Sequence, residues 1–253
     1  MRMAAARPRP ALARIWRLWR LFWHVLAGLR TLKREFPSLD AAARRERVQA
    51  WSLRALELFG VELVVQGQAH TPGPLLLVCN HVSWLDILVL NAAAPSRFVS
   101  KSDVRGWPVL GRLVEGAGTL FIERASQRDA LRVVHHMAEE LARGERLSVF
   151  PEGTTGDGHS VLPFHANLLQ AALAADAPIG PVGLRYLSLA APDVPSPAPA
   201  YVGDDTLLQS MWRTLGEPSL QARLRYGEPQ HAAGRHRRAW AEDLRAEVAR
   251  LMG

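Results

Sequence analysis

The sequence predicts an α/β fold, a mostly parallel sheet flanked by helices and preceded by a pair of amphipathic helices. Three observations lead there. Short apolar runs alternate with helical patterns from Val61 onward, several of those runs lack the alternation of a half-exposed strand, and the residues before Val61 follow a helical period.

At 100° per residue, Arg14, Arg17, Arg20 and His24 fall on one side of a first helix, and Trp16, Trp19, Phe22, Trp23 and Leu26 on the other. Aromatic residues opposite arginines suit the interface of an anionic bilayer, where each basic residue contributes about 1 kcal/mol. The competing reading packs this helix on the protein's own core. Arg17, Arg20 and His24 interrupt the apolar stretch Ile15 to Leu29, so neither a signal peptide nor a spanning helix of roughly 20 apolar residues is expected. Pro37 breaks the pattern, and Ser38 is the expected N-cap of a second helix that ends at Gly60. Residues 1–60 are thus expected to form a membrane-contact segment and residues 61–253 the α/β domain.

Strands are expected at Val61–Val65, Leu75–Val78, Arg97–Ser100, Thr119–Ile122, Leu147–Phe150, Ile179–Leu184 and Leu220–Tyr226. Helical patterns lie near Trp84–Ala93, Trp107–Val114, Gln127–Arg143, Asn167–Ala175, Asp205–Leu215 and His236–Leu251. The Pro-, Ala- and Ser-rich stretch from Pro192 to Pro199 reads as irregular.

With 253 residues and 48% hydrophobic content the chain can bury one sizeable core, which excludes a disordered protein. A net charge of +7 calls for an anionic partner: nucleic acid, acidic headgroups or a phosphorylated cofactor. The basic residues concentrate before Arg54 and in Arg235–Arg238, a pattern that favours surface attachment. Cys79 is the single cysteine, so an intramolecular disulfide is excluded and a reducing compartment is expected.

After the expected strand ending near Cys79 comes Asn80-His81-Val82-Ser83-Trp84-Leu85-Asp86. A histidine and an aspartate five residues apart, across a loop and a first helical turn, can meet so that the carboxylate holds Nδ1–H and leaves Nε2 as a base. Nine histidines make such a spacing common by chance, and Asp86 could merely cap its helix. Further segments strengthen the catalytic reading. Gly118–Arg124 puts an arginine past one strand, Phe150–Thr155 a carboxylate and a glycine past another, and Gly180-Pro181-Val182 opens a further strand. In a mostly parallel sheet these strand ends share one edge.

The order His-x4-Asp, Phe-Ile-Glu-Arg, Phe-Pro-Glu-Gly-Thr and Pro-x-x-Pro-Val, spread over Leu75 to Leu184, resembles the glycerolipid acyltransferase family, typified by 1-acylglycerol-3-phosphate acyltransferases. The resemblance implies an O-acyltransferase at the cytoplasmic face of a membrane. It would take a fatty acyl group from acyl-CoA or acyl carrier protein, with no other cofactor and no metal. His81 is then the base and Asp86 its orienting partner. Arg124 is assigned to the acceptor's anionic headgroup, with Glu152, Gly153 and Thr154 beside it; its competing role is a surface ion pair with Glu123 or Asp129. Asn80, Ser83 and Lys101 complete the expected substrate-contacting set.

One departure bears on the acceptor. Many phosphatidate-forming members carry an arginine after Glu-Gly-Thr, whereas Thr155-Gly156-Asp157 follows here, and Glu-Gly-Thr-Thr stretches resemble enzymes acting on lyso-ornithine lipid. Expected acceptors are therefore 1-acyl-sn-glycerol-3-phosphate, or lyso-ornithine lipid or another lysophospholipid. Asp157, His159 and His165 lack metal-ligand spacing, and His135-His136 read as surface residues. Two other classes remain: a nucleic-acid binder, disfavoured because no recognised motif is present, and a non-catalytic membrane module, which would leave the strand-end motifs without a role.

Overall fold

The structure is a computed structural model that describes residues 8–69, 73–107, 109–122, 127–189 and 191–253. Two helices open the chain, α1 (Ala11–Arg34) and α2 (Ala41–Phe59), separated by a short 3-10 turn over Phe36–Ser38. Asp40, not Ser38, caps α2: its carboxylate accepts the Ala43 N–H at 2.8 Å, while Ser38 ends the 3-10 turn that Pro37 starts. Gly60 closes α2 at φ +75°, the left-handed conformation that glycine adopts without a Cβ penalty.

The rest alternates as expected: β1 (Val61–Gln66), β2 (Leu75–Cys79), α3 (Asp86–Ala93), β3 (Arg97–Lys101), α4 (Leu110–Gly116), β4 (Leu120–Ile122), α5 (Gln127–Ala142) and β5 (Arg146–Val149). Then follow α6 (Gln170–Ala174), β6 (Ile179–Ser188), β7 (Ala191–Pro195), α7 (Leu207–Gly216), β8 (Leu220–Tyr226) and α8 (Arg237–Met252). The sheet order is β1-β8-β6-β2-β5-β3-β4. β6, β2, β5, β3 and β4 run parallel; β8 joins β6 antiparallel and carries β1 parallel to itself.

β7 replaces part of the irregular stretch read from the prolines. It pairs antiparallel with β6 at Leu187 and Ser188, and Ser188 also pairs with Leu220 of β8. Proline is tolerated there because an edge strand needs few of its own N–H donors.

β2 is buried along its whole length, and its alternation divides the core. Leu75, Leu77 and Cys79 pack with Leu56, Phe59, Val89, Phe98 and Leu184 on one face. Leu76 and Val78 pack with Met137, Leu141, Leu169, Trp240 and Leu244 on the other. Because Leu56 and Phe59 of α2 belong to the first cluster, packing runs continuously across residue 60.

Arg14, Arg17 and His24 of α1's basic side turn inward, while Arg20 is exposed. The Arg17 guanidinium donates to the Leu58 carbonyl at 2.8 Å, Arg9 to the Pro218 carbonyl at 2.8 Å and the Leu215 carbonyl at 3.3 Å, and Arg14 lies over the Trp212 ring. Leu58 and Leu215 stand in the last turns of α2 and α7, whose carbonyls lack intrahelical donors, so these cations satisfy two helix C-termini. His24 stacks on Trp51 at 4.7 Å. The opposite side is left outside: Trp16 is 59% exposed, Trp19 52%, Phe22 51% and Trp23 53%. Among the described residues no helix is long and apolar enough to cross a membrane.

Candidate active site

β2 ends at Cys79, and the turn that follows is pinned before it reaches the histidine. Asn80 is buried, its Oδ1 accepting the Leu184 N–H at 2.8 Å and its Nδ2 donating to the Leu184 carbonyl at 2.9 Å. The side chain therefore splices the end of β2 to β6. This corrects the expectation that it touches substrate, since its amide is used within the sheet.

Residues 81–86 fold around one carboxylate. Asp86 is fully buried, and its Oδ2 accepts His81 Nδ1–H at 2.7 Å, the Val82 N–H at 2.7 Å and the Ser83 N–H at 3.0 Å. Its Oδ1 accepts the Tyr186 hydroxyl at 2.8 Å. Four donors thus stand in for the hydration it loses on burial. Ser83 is also buried, its Oγ accepting the Leu85 N–H at 3.3 Å; it belongs to the turn and cannot reach an acceptor lipid.

The His81 ring is stacked face to face on Phe150, with centroids 3.9 Å apart and planes 8° apart. With Nδ1 committed to Asp86, the ring is fixed in plane and tilt. Its side chain keeps 19% exposure, and among the described residues nothing hydrogen-bonds Nε2. With Nδ1 turned to Asp86, Nε2 is the ring nitrogen left free to meet a proton donor.

Glu152 is displaced from its expected role. It is 4% exposed; Oε1 accepts the His81 N–H at 2.6 Å and Oε2 the Leu162 N–H at 2.8 Å. Both oxygens are engaged by backbone, so the side chain ties the loop at His81 to the segment at Leu162. Burial pushes the Glu152 carboxyl above the usual carboxylate range, against the pull of those two amides and of His81. Gly153, at φ +69°, turns the chain so that its N–H returns to the Phe150 carbonyl at 3.1 Å. Thr154 points outward, exposed beside it.

A second set of bonds closes over the loop: the Gly156 N–H to the His81 carbonyl at 2.7 Å, the Tyr201 N–H to the Val82 carbonyl at 3.0 Å, and Thr155 Oγ1 to the Tyr201 carbonyl. The Trp84 indole donates to Ser210 of α7 at 3.0 Å. Lys101 closes β3 on the same sheet edge as the end of β2, but β5 lies between, about 10 Å away at ~4.8 Å per strand. β4 ends on that edge too; Arg124 lies outside the described residues, as does Glu123. Asp157, His159 and His165 do not converge: among the described residues no three His, Cys, Asp or Glu side chains gather as a metal would require.

Tyr186 and Phe150 escaped the sequence reading as site residues. A signal existed for the first, since Val182, Leu184 and Tyr186 share one face of β6 by alternation. Nothing local pairs Phe150 with His81, because the stack joins strand ends 70 residues apart.

Comparison with known proteins places the chain in a family. The acyltransferase family pattern matches residues 62–185. The lyso-ornithine lipid O-acyltransferase of Pseudomonas aeruginosa is 38% identical over 224 residues, 88% of this chain and 85% of that one. The 1-acyl-sn-glycerol-3-phosphate acyltransferase of Neisseria meningitidis serogroup B is 40% identical over 172 residues, 68% of this chain and 66% of that one. In fold, the chain is similar to the crystal structure of the 1-acyl-sn-glycerophosphate acyltransferase of Thermotoga maritima, with a TM-score of 0.70, 20% identity and 94% of each chain covered. The chain belongs to the glycerolipid acyltransferase family and is an acyltransferase.

Proposed function

We propose that this enzyme transfers a fatty acyl group from acyl-CoA or acyl carrier protein to the free hydroxyl of a lysolipid, at the cytoplasmic face of a membrane, with His81 as general base. The observation that carries this reading is an imidazole locked through Nδ1 to a buried carboxylate, with Nε2 unengaged. As the hydroxyl oxygen attacks the thioester carbonyl, Nε2 takes its proton; when the tetrahedral intermediate collapses, the proton passes to the departing thiolate. The products are an ester and a free thiol, and Asp86 stabilises the transient imidazolium without being protonated itself.

The acceptor we favour is lyso-ornithine lipid. The Pseudomonas aeruginosa relative of that name aligns over most of this chain, and Thr155 is neutral and turned to the Tyr201 carbonyl. 1-Acyl-sn-glycerol-3-phosphate is the second reading, supported by the Neisseria relative. Arg124 and Lys101 are proposed to attract the acceptor's anionic group, with Gly153 and Thr154 lining its approach.

The exposed aromatic side of α1 is proposed to rest on the bilayer, extended by Leu208 and Trp212 of α7. Burying tryptophans at headgroup depth answers an exposed apolar surface that a soluble protein would otherwise leave in water. Nucleic acid is not expected as a partner.

Purified enzyme and a His81→Ala variant, incubated with labelled acyl-CoA or acyl carrier protein and a panel of lysolipids, test the assignment by mass spectrometry of the product. Acylation of lyso-ornithine lipid in the wild type and its loss in the variant are expected; acylation persisting in the folded variant refutes the role of His81. In parallel, Trp16→Ser, Trp19→Ser and Trp23→Ser together should abolish sedimentation with anionic vesicles. Unchanged sedimentation would remove α1 from the membrane contact.

A further inference from the structure

We infer that Tyr186 is a positioning residue of the acylation reaction, acting on His81 through Asp86; the inference rests on the assignment of His81 as general base. Tyr186 stands on β6 and is 2% exposed, so its hydroxyl has no water to bond. It donates to Asp86 Oδ1 at 2.8 Å, on the oxygen that none of the other three donors uses. The four bonds therefore divide unequally. Oδ2 is crowded by His81 and the two amides, and Oδ1 depends on Tyr186.

Two consequences follow from that division. First, a carboxylate tied at one oxygen can swing about its Cβ–Cγ bond, whereas one tied at both keeps Oδ2 in line with His81 Nδ1. Second, each hydrogen bond to a carboxylate withdraws charge from it, so the Tyr186 hydroxyl moderates the field that Asp86 exerts on the imidazole. Burial, with Asp86 and Cys79 nearby, pushes the Tyr186 hydroxyl well above its ordinary range, so it remains a donor wherever the enzyme works. The charged or titratable groups around the pair are Asp86 itself, Glu152 at the His81 amide, and Cys79 at the end of β2.

Tyr186→Phe removes the hydroxyl and keeps the ring. The expected result is a fall in kcat of about tenfold with KM for the acceptor unchanged. The acid limb of the kcat/KM profile should move to higher pH, because a carboxylate with one donor fewer holds the imidazolium proton more tightly. Replacing Tyr186 with a singly ring-fluorinated tyrosine, a stronger donor, should move that limb to lower pH, and this arm serves if the phenylalanine variant does not fold. A merely structural tyrosine would change the thermal midpoint and leave the limb in place. Superimposable pH profiles for wild type and variants overturn the inference; an active His81→Ala enzyme overturns the general-base reading instead, so the two failures are distinguishable.

Discussion

Two histidines in this protein lie flat on aromatic rings, in opposite surroundings. His81 stacks on Phe150, and His24 stacks on Trp51 across the seam between α1 and α2. His24 also hydrogen-bonds the Trp51 carbonyl through Nε2 at 3.0 Å, while the Trp51 indole donates to the His24 carbonyl at 3.2 Å. Burial, with Arg54 nearby, lowers its pKa. His81 has a buried counter-charge on Nδ1 and an unengaged Nε2. Ring stacking fixes orientation in both; the carboxylate on Nδ1 sets the ring proposed as the general base apart from one bonded to a backbone carbonyl.

The largest effect that would sharpen the contrast is on kcat. His81→Ala should lower kcat about 10³-fold with little change in thermal midpoint, whereas His24→Ala should leave kcat within about twofold. A His24→Ala enzyme as inactive as His81→Ala would break the comparison.

Next comes the support of the reactive ring. Glu152→Gln places an amide NH2 against one of two backbone N–H donors, His81 or Leu162, and leaves it unsatisfied at a cost of roughly 1–3 kcal/mol. A loss of about tenfold to 10²-fold in kcat is expected from the misplaced ring, with KM for the acceptor unchanged. A rise in KM alone, measured by steady-state kinetics, would return Glu152 to the headgroup.

The smallest effect is a pH dependence of stability at His24. Its folded pKa is lowered below the unfolded value, so the unfolded chain binds the extra proton first and stability falls as pH drops below about 6.5. Thermal midpoints between pH 8 and about 5 should fall less steeply in His24→Phe, which keeps the stack and cannot titrate. Parallel curves would remove His24 as the source.

Much of this was visible in the residue pattern. The strands of the parallel core fall within a residue or two of their expected starts, apart from the longer reach of β6, because buried apolar runs bounded by turn residues are local signals. The pairing of His81 with Asp86 was visible for a similar reason, since five residues across one turn can meet with little help from elsewhere. For Glu152, Asn80 and Ser83 the residue pattern did not show which backbone groups their side chains would bond. Their side chains face backbone donors and acceptors contributed by His81, Leu162, Leu184 and Leu85, and the identity of a residue does not say which amide will lie beside it.

The sequence by itself determined the alternation of strands and helices, the edge on which the motifs gather, and the two-sided character of α1. Only the tertiary structure decided which side of α1 faces inward. Periodicity separates the arginines from the tryptophans, but Arg17 turns inward to the Leu58 carbonyl, and Arg9, just before α1, to those of Leu215 and Pro218. Arg9 and Arg17 meet those acceptors 41 to 209 residues further along the chain, a distance over which no local pattern carries information.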